Sequence, residues 1–169
     1  MKNYLSLIDT NTSGNRYDVT PLFSNYAGFN ELVNDLVDQV LLGSVDIVAC
    51  IDALGFILGT AISQKLNVGI LAIRKGGKLP VTTDTVDFTD YTGLEKQLEI
   101  RQDILVAEMK VLIVDEWIET GAQVSASIQL IEQQGATVAG IVTIKMDDNK
   151  NTQSIKSQYK VITAWNDVT

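Results

Sequence analysis

The residues best able to do chemistry lie between Val111 and Gln123. There an apolar run, Val-Leu-Ile-Val, stops at the adjacent acids Asp115 and Glu116 and then turns through Thr120-Gly121-Ala122 into a helical pattern. Such a run predicts a buried parallel strand, and the carboxyl ends of parallel strands are where open α/β sheets take their ligands. The small-residue turn opens a helix expected over Val124 to Gln134, whose unpaired N–H groups and positive dipole end attract phosphate. Strand, acid pair and anion cradle thus follow the order that a ribose phosphate needs, with carboxylates for the hydroxyls and amides for the phosphate. A strand-to-helix connection with both acids facing water uses the same residue types, but the Thr-Gly-Ala turn weighs against it. No Lys-Ser/Thr follows the glycine, so this is not a nucleotide-triphosphate loop, and no Gly-x-Gly-x-x-Gly follows any strand.

Two further segments have the same character. Asp52-Ala53-Leu54-Gly55 ends a buried run at Ile47 to Ile51 and leads into a helix, so its turn can offer backbone N–H groups to a second anion; a plain turn glycine is the competing reading. Arg74-Lys75-Gly76-Gly77-Lys78-Leu79-Pro80 follows another strand and gathers three of the chain's thirteen basic residues within five positions. Its glycines let backbone approach a ligand, and its lysines are mobile charges for phosphate, although a solvated surface turn has the same composition. All three segments follow strands, which places them at one edge of a sheet.

The elements that must position them are legible from periodicity. Tyr4 to Ile8 reads as a short strand, and Phe29, Leu32, Val33, Leu36, Val37, Val40 and Leu41 recur at helical spacing. Ile47 to Ile51, Phe56 to Leu66 and Val68 to Ile73 form a strand, helix and strand, a βαβ unit. Lys110 to Val114, the helix to Gln134 and Thr137 to Ile144 form a second, and a polar helix at Asn149 to Ser157 with a strand at Tyr159 to Thr163 completes the sheet. The fold class is therefore α/β, a doubly wound, mainly parallel sheet. Residues 75–97 lose helical periodicity and become rich in Thr, Asp and Gly, which reads as a long flexible loop of the kind that closes over sites.

Composition narrows the chemistry. The 169 residues, 46% hydrophobic with two prolines and no internal repeat, predict a single domain over 1–169, in which 1–25 forms an N-terminal arm. A net charge of −8 argues against nucleic acid as a partner. No run has signal-peptide character or membrane-spanning length, so the expectation is a soluble, cytoplasmic protein without a membrane partner. The chain has no histidine, which removes Ser-His-Asp, Cys-His and His-ligated zinc chemistry. Its one cysteine, Cys50, lies inside an apolar run and reads as an inert strand residue.

Together these segments resemble the type I phosphoribosyltransferase family, most closely its adenine-specific branch. Tyr17-Asp-Val-Thr-Pro-Leu22 is similar to the family's early Phe-x-Asp-Ile-Thr-Pro-Leu stretch, and Asp52 to Gly59 to its Glu/Asp-Ala/Ser-Arg-Gly-Phe-x-x-Gly loop. Arg74 to Pro80 is similar to Arg-Lys-x-Gly-Lys-Leu-Pro, Leu98-Glu99-Ile100 to the return from the flexible loop, and Val111 to Gln123 to Val-Leu-Ile-Val-Asp-Asp-Leu-Leu-Ala-Thr-Gly-Gly-Thr. The resemblance covers most of the chain.

It implies an enzyme of purine salvage that joins a purine base to phosphoribosyl pyrophosphate, works as a homodimer and needs Mg²⁺. By position, Asp115 and Glu116 would bind the ribose hydroxyls and, indirectly, the metal. Glu119, Thr120, Gly121, Ala122 and Gln123 would wrap the 5′-phosphate. Asp52, Ala53, Leu54 and Gly55 would hold pyrophosphate with Lys78, Arg74 and Lys75 would border the base pocket, and Asp90-Tyr91 would stand for the loop pair that handles the base proton. Asp90, with Asp84 and Asp87, equally fits a solvated loop. The chain departs from the pattern at Leu54 for arginine, Glu119 for a small neutral residue, Ala122 for glycine and Gln123 for a hydroxyl. Those departures keep two alternatives open, a non-catalytic nucleotide or phosphoribosyl-pyrophosphate-binding regulator and a transferase for another nucleobase.

Overall fold

The computed structural model describes residues 2–14, 16–41, 43–90 and 92–165. Its helices are α1 (Thr20–Ser24), α2 (Tyr26–Val37), α3 (Leu54–Leu66), α4 (Ala122–Gln133) and α5 (Lys150–Gln158). The strands are β1 (Ile47–Ile51), β2 (Gly69–Lys75), β3 (Thr83–Thr89), β4 (Glu95–Arg101), β5 (Lys110–Val114), β6 (Trp117–Ile118), β7 (Thr137–Thr143), β8 (Lys145–Met146) and β9 (Val161–Thr163). Seven of them form one sheet in the order β3-β4-β2-β1-β5-β7-β9, while β6 and β8 pair separately. The five strands from β2 to β9 in that order, omitting the β3-β4 edge, run parallel, as the alternation of strands and helices predicts. None of the described helices is long and apolar enough to cross a membrane.

Alternation along each central strand divides the core. Val48 and Cys50 of β1, with Leu112 and Val114 of β5, face the layer that holds α2 and α3. Ala49, Ile51, Val111 and Ile113 face the layer that holds α4 and Ile155 of α5. This is the period-2 consequence of a sheet buried on both faces. Helix α3 ends at Asn67 in the left-handed region (φ 58°). The Asn149 side chain and Thr152 form a reciprocal cap at the start of α5.

The amino-terminal segment is not a strand. Asn3–Leu7 forms a turn of 3₁₀ helix against α1 and α2. Its alternating residues serve one anchor, buried Tyr4, whose hydroxyl donates to Asp35 at 2.6 Å. The long helix begins three residues before Phe29, because the Asn25 side chain caps it by accepting from the Gly28 amide at 2.9 Å, and it stops at Val37, leaving Leu41 exposed. The segment read as irregular loop contains a hairpin: β3 and β4 pair antiparallel in continuous register, and β4 joins the edge of β2. Only Val86, Leu98 and Ile100 supply its buried aliphatic positions, among threonines and acids that mask the strand signal.

Helix α3 approaches β1 closely at Gly59, where a Cβ would lie 2.2 Å from the Cys50 sulfur. Burial pushes that thiol up to about 12, in keeping with an inert core residue. Gly59→Ala is expected to destabilise the protein by about 1–3 kcal/mol through overpacking, measured by denaturant unfolding. Adding Cys50→Ala should restore part of the loss, and additive losses in the double variant would show that the contact does not set the helix position.

Candidate active site

The carboxyl ends of β1 and β5 point to the same crevice. These adjacent parallel strands lie where the sheet's connections change direction, since β1 leads to β2 on one side and β5 to β7 on the other. In register Cys50 faces Val114, so Asp52 and Asp115 emerge side by side. The crevice is a cleft of about 890 Å³, within the range of small-molecule sites.

Asp115 and Glu116 form its floor, 6% and 3% exposed. The alternative of two solvated acids is thereby excluded. Asp115 accepts from the Glu116 amide at 2.9 Å. Burial pushes its carboxyl up to about 8, against the opposing pull of Arg16. Glu116 forms an ion pair with the Arg16 guanidinium, which the amino-terminal arm brings across the cleft. The pair thus sets a carboxyl driven toward its protonated form beside a carboxylate paired with arginine.

The cradle follows directly. Gly121, at φ 78°, caps α4, a conformation that L side chains rarely adopt. The Asn149 side-chain amide donates to the Glu119 carbonyl, and that of Asn151 to the Thr120 carbonyl, each at 2.8 Å. Because a trans peptide sets C=O and N–H on opposite sides, these bonds leave the Thr120 and Gly121 amides directed the other way, where Glu119, Thr120, Gly121 and Gln123 line the cleft. Ala122 is not part of the wall, and its amide donates to the Thr120 hydroxyl at 3.3 Å.

Across the cleft Asp52, Ala53 and Leu54 line the second anion turn, whose Asp52–Ala53 peptide is cis. Gly55 does not line the wall but sets the spacing: a Cβ there would lie 2.8 Å from the Val114 carbonyl and 3.3 Å from the Asp115 Cα. Of the basic segment, Lys75 and Gly76 reach the wall, while Arg74 and Lys78 are not among its lining residues. Arg74 Nε donates to Asp52 at 3.0 Å, with the guanidinium 5.8 Å from the Phe56 ring centre, contacts that tie it to the Asp52 loop.

Asp90 lies at the rim, but its carboxylate shapes the hairpin tip, accepting from the Thr92 hydroxyl at 2.5 Å and from the Thr92 and Leu94 amides. The bond from the Thr92 hydroxyl, its strongest influence, holds it below the ordinary carboxylate range, which disfavours a proton carrier. Tyr91 lies outside the described residues.

Several wall residues were not expected from sequence. Arg16 directly precedes the Tyr17–Leu22 motif, and that adjacency was the available signal. Trp117, 5% exposed and part of the core, also borders the cleft and packs edge-on against Tyr17 at 5.5 Å between centroids. Phe88 and Lys96 reach the wall only because the hairpin folds back. Asn149 and Asn151 had a helix-cap signature in Asp148-Asn-Lys-Asn-Thr152, but nothing in it pointed to the cradle.

Residues 23–168 match the phosphoribosyl transferase domain family. The chain is 42% identical over 123 residues to the adenine phosphoribosyltransferase of Dinoroseobacter shibae, covering 73% of this chain and 68% of that protein. It is 37% identical over 125 residues to that of Corynebacterium jeikeium, covering 73% of this chain but 60% of that longer protein. The crystal structure of adenine phosphoribosyltransferase from Thermoanaerobacter pseudethanolicus superposes with a TM-score of 0.86 at 26% identity, covering 95% of both chains.

The raised Asp115 carboxyl makes stability depend on pH. Folding favours its protonated form, so the stabilisation is complete below about 4, where the unfolded carboxyl titrates, and is lost as pH rises through about 8. Asp115→Asn stays neutral throughout. Its melting temperature should gain on wild type steadily between pH 4 and 8, by roughly 2–4 °C per kcal/mol recovered. A difference constant with pH would contradict the assignment.

Proposed function

Because the chain belongs to the phosphoribosyltransferase family, we propose that it transfers the phosphoribosyl group of phosphoribosyl pyrophosphate to adenine, releasing pyrophosphate and forming AMP. The supporting observation is the convergence of a buried acid pair, a phosphate cradle and a second anion turn on one cleft. Family membership extends the proposal to a homodimer working in the cytoplasm.

In this reading the 5′-phosphate sits on the amides of Thr120 and Gly121 at the start of α4, where dipole and N–H groups act together. Asp115 and Glu116 take the ribose hydroxyls; a neutral Asp115 can donate as well as accept, and a ribose hydroxyl can take the place of Arg16 on Glu116. The Asp52–Gly55 turn and the Lys75 charge receive the pyrophosphate. A base nitrogen then attacks the anomeric carbon as the C–O bond to pyrophosphate breaks, the proton of that nitrogen passes to the released pyrophosphate, and positive charge grows on the sugar between fixed carboxyls. Rate enhancement comes from alignment and from charge placed before the reaction begins.

Mg²⁺ suits the site as an ion carried in on substrate oxygens. Among the described residues no group of three acidic, cysteine or histidine side chains could hold a metal, whereas one carboxyl pair with phosphate oxygens is the usual magnesium environment. Asp115 and Glu116 would hold it indirectly, through the ribose hydroxyls they bind, and the ion would neutralise the leaving pyrophosphate.

Leu54 stands in the anion turn where the family carries arginine, and this favours a second reading, a protein that binds phosphoribosyl pyrophosphate or nucleotide without turnover. One experiment separates the two. With Mg²⁺ and phosphoribosyl pyrophosphate, a panel of purines and pyrimidines should give base consumption and pyrophosphate release with adenine. Binding without turnover on any base supports the regulator, and turnover on another base alone replaces adenine. Asp115→Asn with Glu116→Gln should lower kcat/KM by at least about 100-fold, and unchanged kinetics would remove the pair from the mechanism.

A further inference from the structure

One buried charge takes no part in the site as described. Glu99 stands in β4 between Leu98 and Ile100, 3% exposed, and pairs across the antiparallel ladder with Arg74. Its carboxylate turns to the loop that follows β2 and accepts from the amides of Gly77 at 3.0 Å, Lys78 at 2.6 Å and Leu79 at 2.7 Å, with the Thr83 hydroxyl at 3.4 Å. Three successive N–H groups converging on one carboxylate form an anion nest closed by the protein's own side chain. Gly76 seats the same turn from the other end. Its amide donates to the Gln97 carbonyl at 2.9 Å, and a Cβ there would lie 2.8 Å from the Gln97 side-chain oxygen.

A buried carboxylate is costly unless its lone pairs are filled. Burial alone would raise the Glu99 carboxyl, but the Leu79, Gly77 and Lys78 amides outweigh it and hold the group below its ordinary range. The charge therefore persists through the neutral range and keeps the turn in one conformation. That turn follows directly on Lys75 and Gly76, the end of β2 that lines the cleft wall, and itself carries Lys78.

We propose that Glu99 is a positioning residue that locks the 77–79 turn, so that Lys75, which precedes the turn at the cleft wall, is preset for the pyrophosphate end of the substrate. The assignment rests on the phosphoribosyl-transfer reading above. Because β4 is the returning strand of the hairpin, the same carboxylate ties the hairpin base to the pyrophosphate side of the cleft and leaves the ribose-phosphate side untouched.

Glu99→Gln tests it. The amide keeps the volume but presents an NH₂ group to a nest of donors. Calorimetric titration with magnesium pyrophosphate should show affinity reduced on the order of 10-fold, and KM for phosphoribosyl pyrophosphate should rise in parallel. AMP, which lacks the pyrophosphate group, should bind as to wild type. Equal losses for pyrophosphate and AMP, or no loss for either, would overturn the role. Hydrogen exchange on the wild-type protein provides a second measure that does not depend on the variant folding: the Gly77, Lys78 and Leu79 amides should be protected, and loop-like exchange overturns the proposal. Wild-type protein that binds neither pyrophosphate nor AMP refutes the phosphoribosyl-transfer reading itself. Intact wild-type binding with an unresponsive variant refutes only the role of Glu99.

Discussion

The structure depends on how closely the start of α3 approaches the end of β5. With no side chain at position 55, the first turn of α3 rests on the Val114 carbonyl and the Asp115 backbone. Parallel pairing of β1 with β5 fixes the register in which that happens. These two constraints set the second anion turn beside the acid pair. A bulkier residue would move the helix off the sheet, and the two halves of the cleft would no longer address one small molecule. Gly59 against Cys50 repeats the device one turn later, so glycines set the helix-to-strand spacing along the site-facing half of α3.

Charge is managed by pairing rather than by accumulation. The protein carries a net charge of −8, yet four acids at or behind the cleft are compensated, while Asp87, Asp90, Glu95 and Glu119 line it as well. Asp115 is neutralised by burial, Glu116 is paired with Arg16, Asp52 with Arg74, and Glu99 is enclosed by backbone amides. Compensation of these four lowers the repulsion that a phosphorylated ligand meets. It also places fixed dipoles and charges before any reaction, which is where catalysis without histidine must find its advantage.

What could be read from the sequence follows from the range of the signals. Val111 to Gln123 announced its strand, acids and helix start because all three are local and contiguous, and Asp52 to Gly55 did so for the same reason. The hairpin was hidden because threonines and acids alternate with few aliphatics, and its pairing with β2 depends on residues more than twenty positions apart. Arg74 was expected at the base pocket from its position in a motif; its partner, Asp52, lies on another strand, and only the parallel register of β1 and β2 brings them together. Trp117 was indistinguishable from core by type, and it borders the cleft because the short β6 strand turns aside from the main sheet to pair with β8.

In the proposed reaction the ends of β1 and β5 hold opposite ends of a single phosphorylated ribose substrate. A crystal structure with AMP and magnesium pyrophosphate tests it most directly. The nucleotide phosphate is expected against the Thr120 and Gly121 amides, the ribose hydroxyls on Asp115 and Glu116 with Arg16 displaced, and pyrophosphate at Asp52 to Gly55. Nucleotide bound elsewhere, or bound with the Arg16 to Glu116 pair intact and the acids untouched, would contradict it.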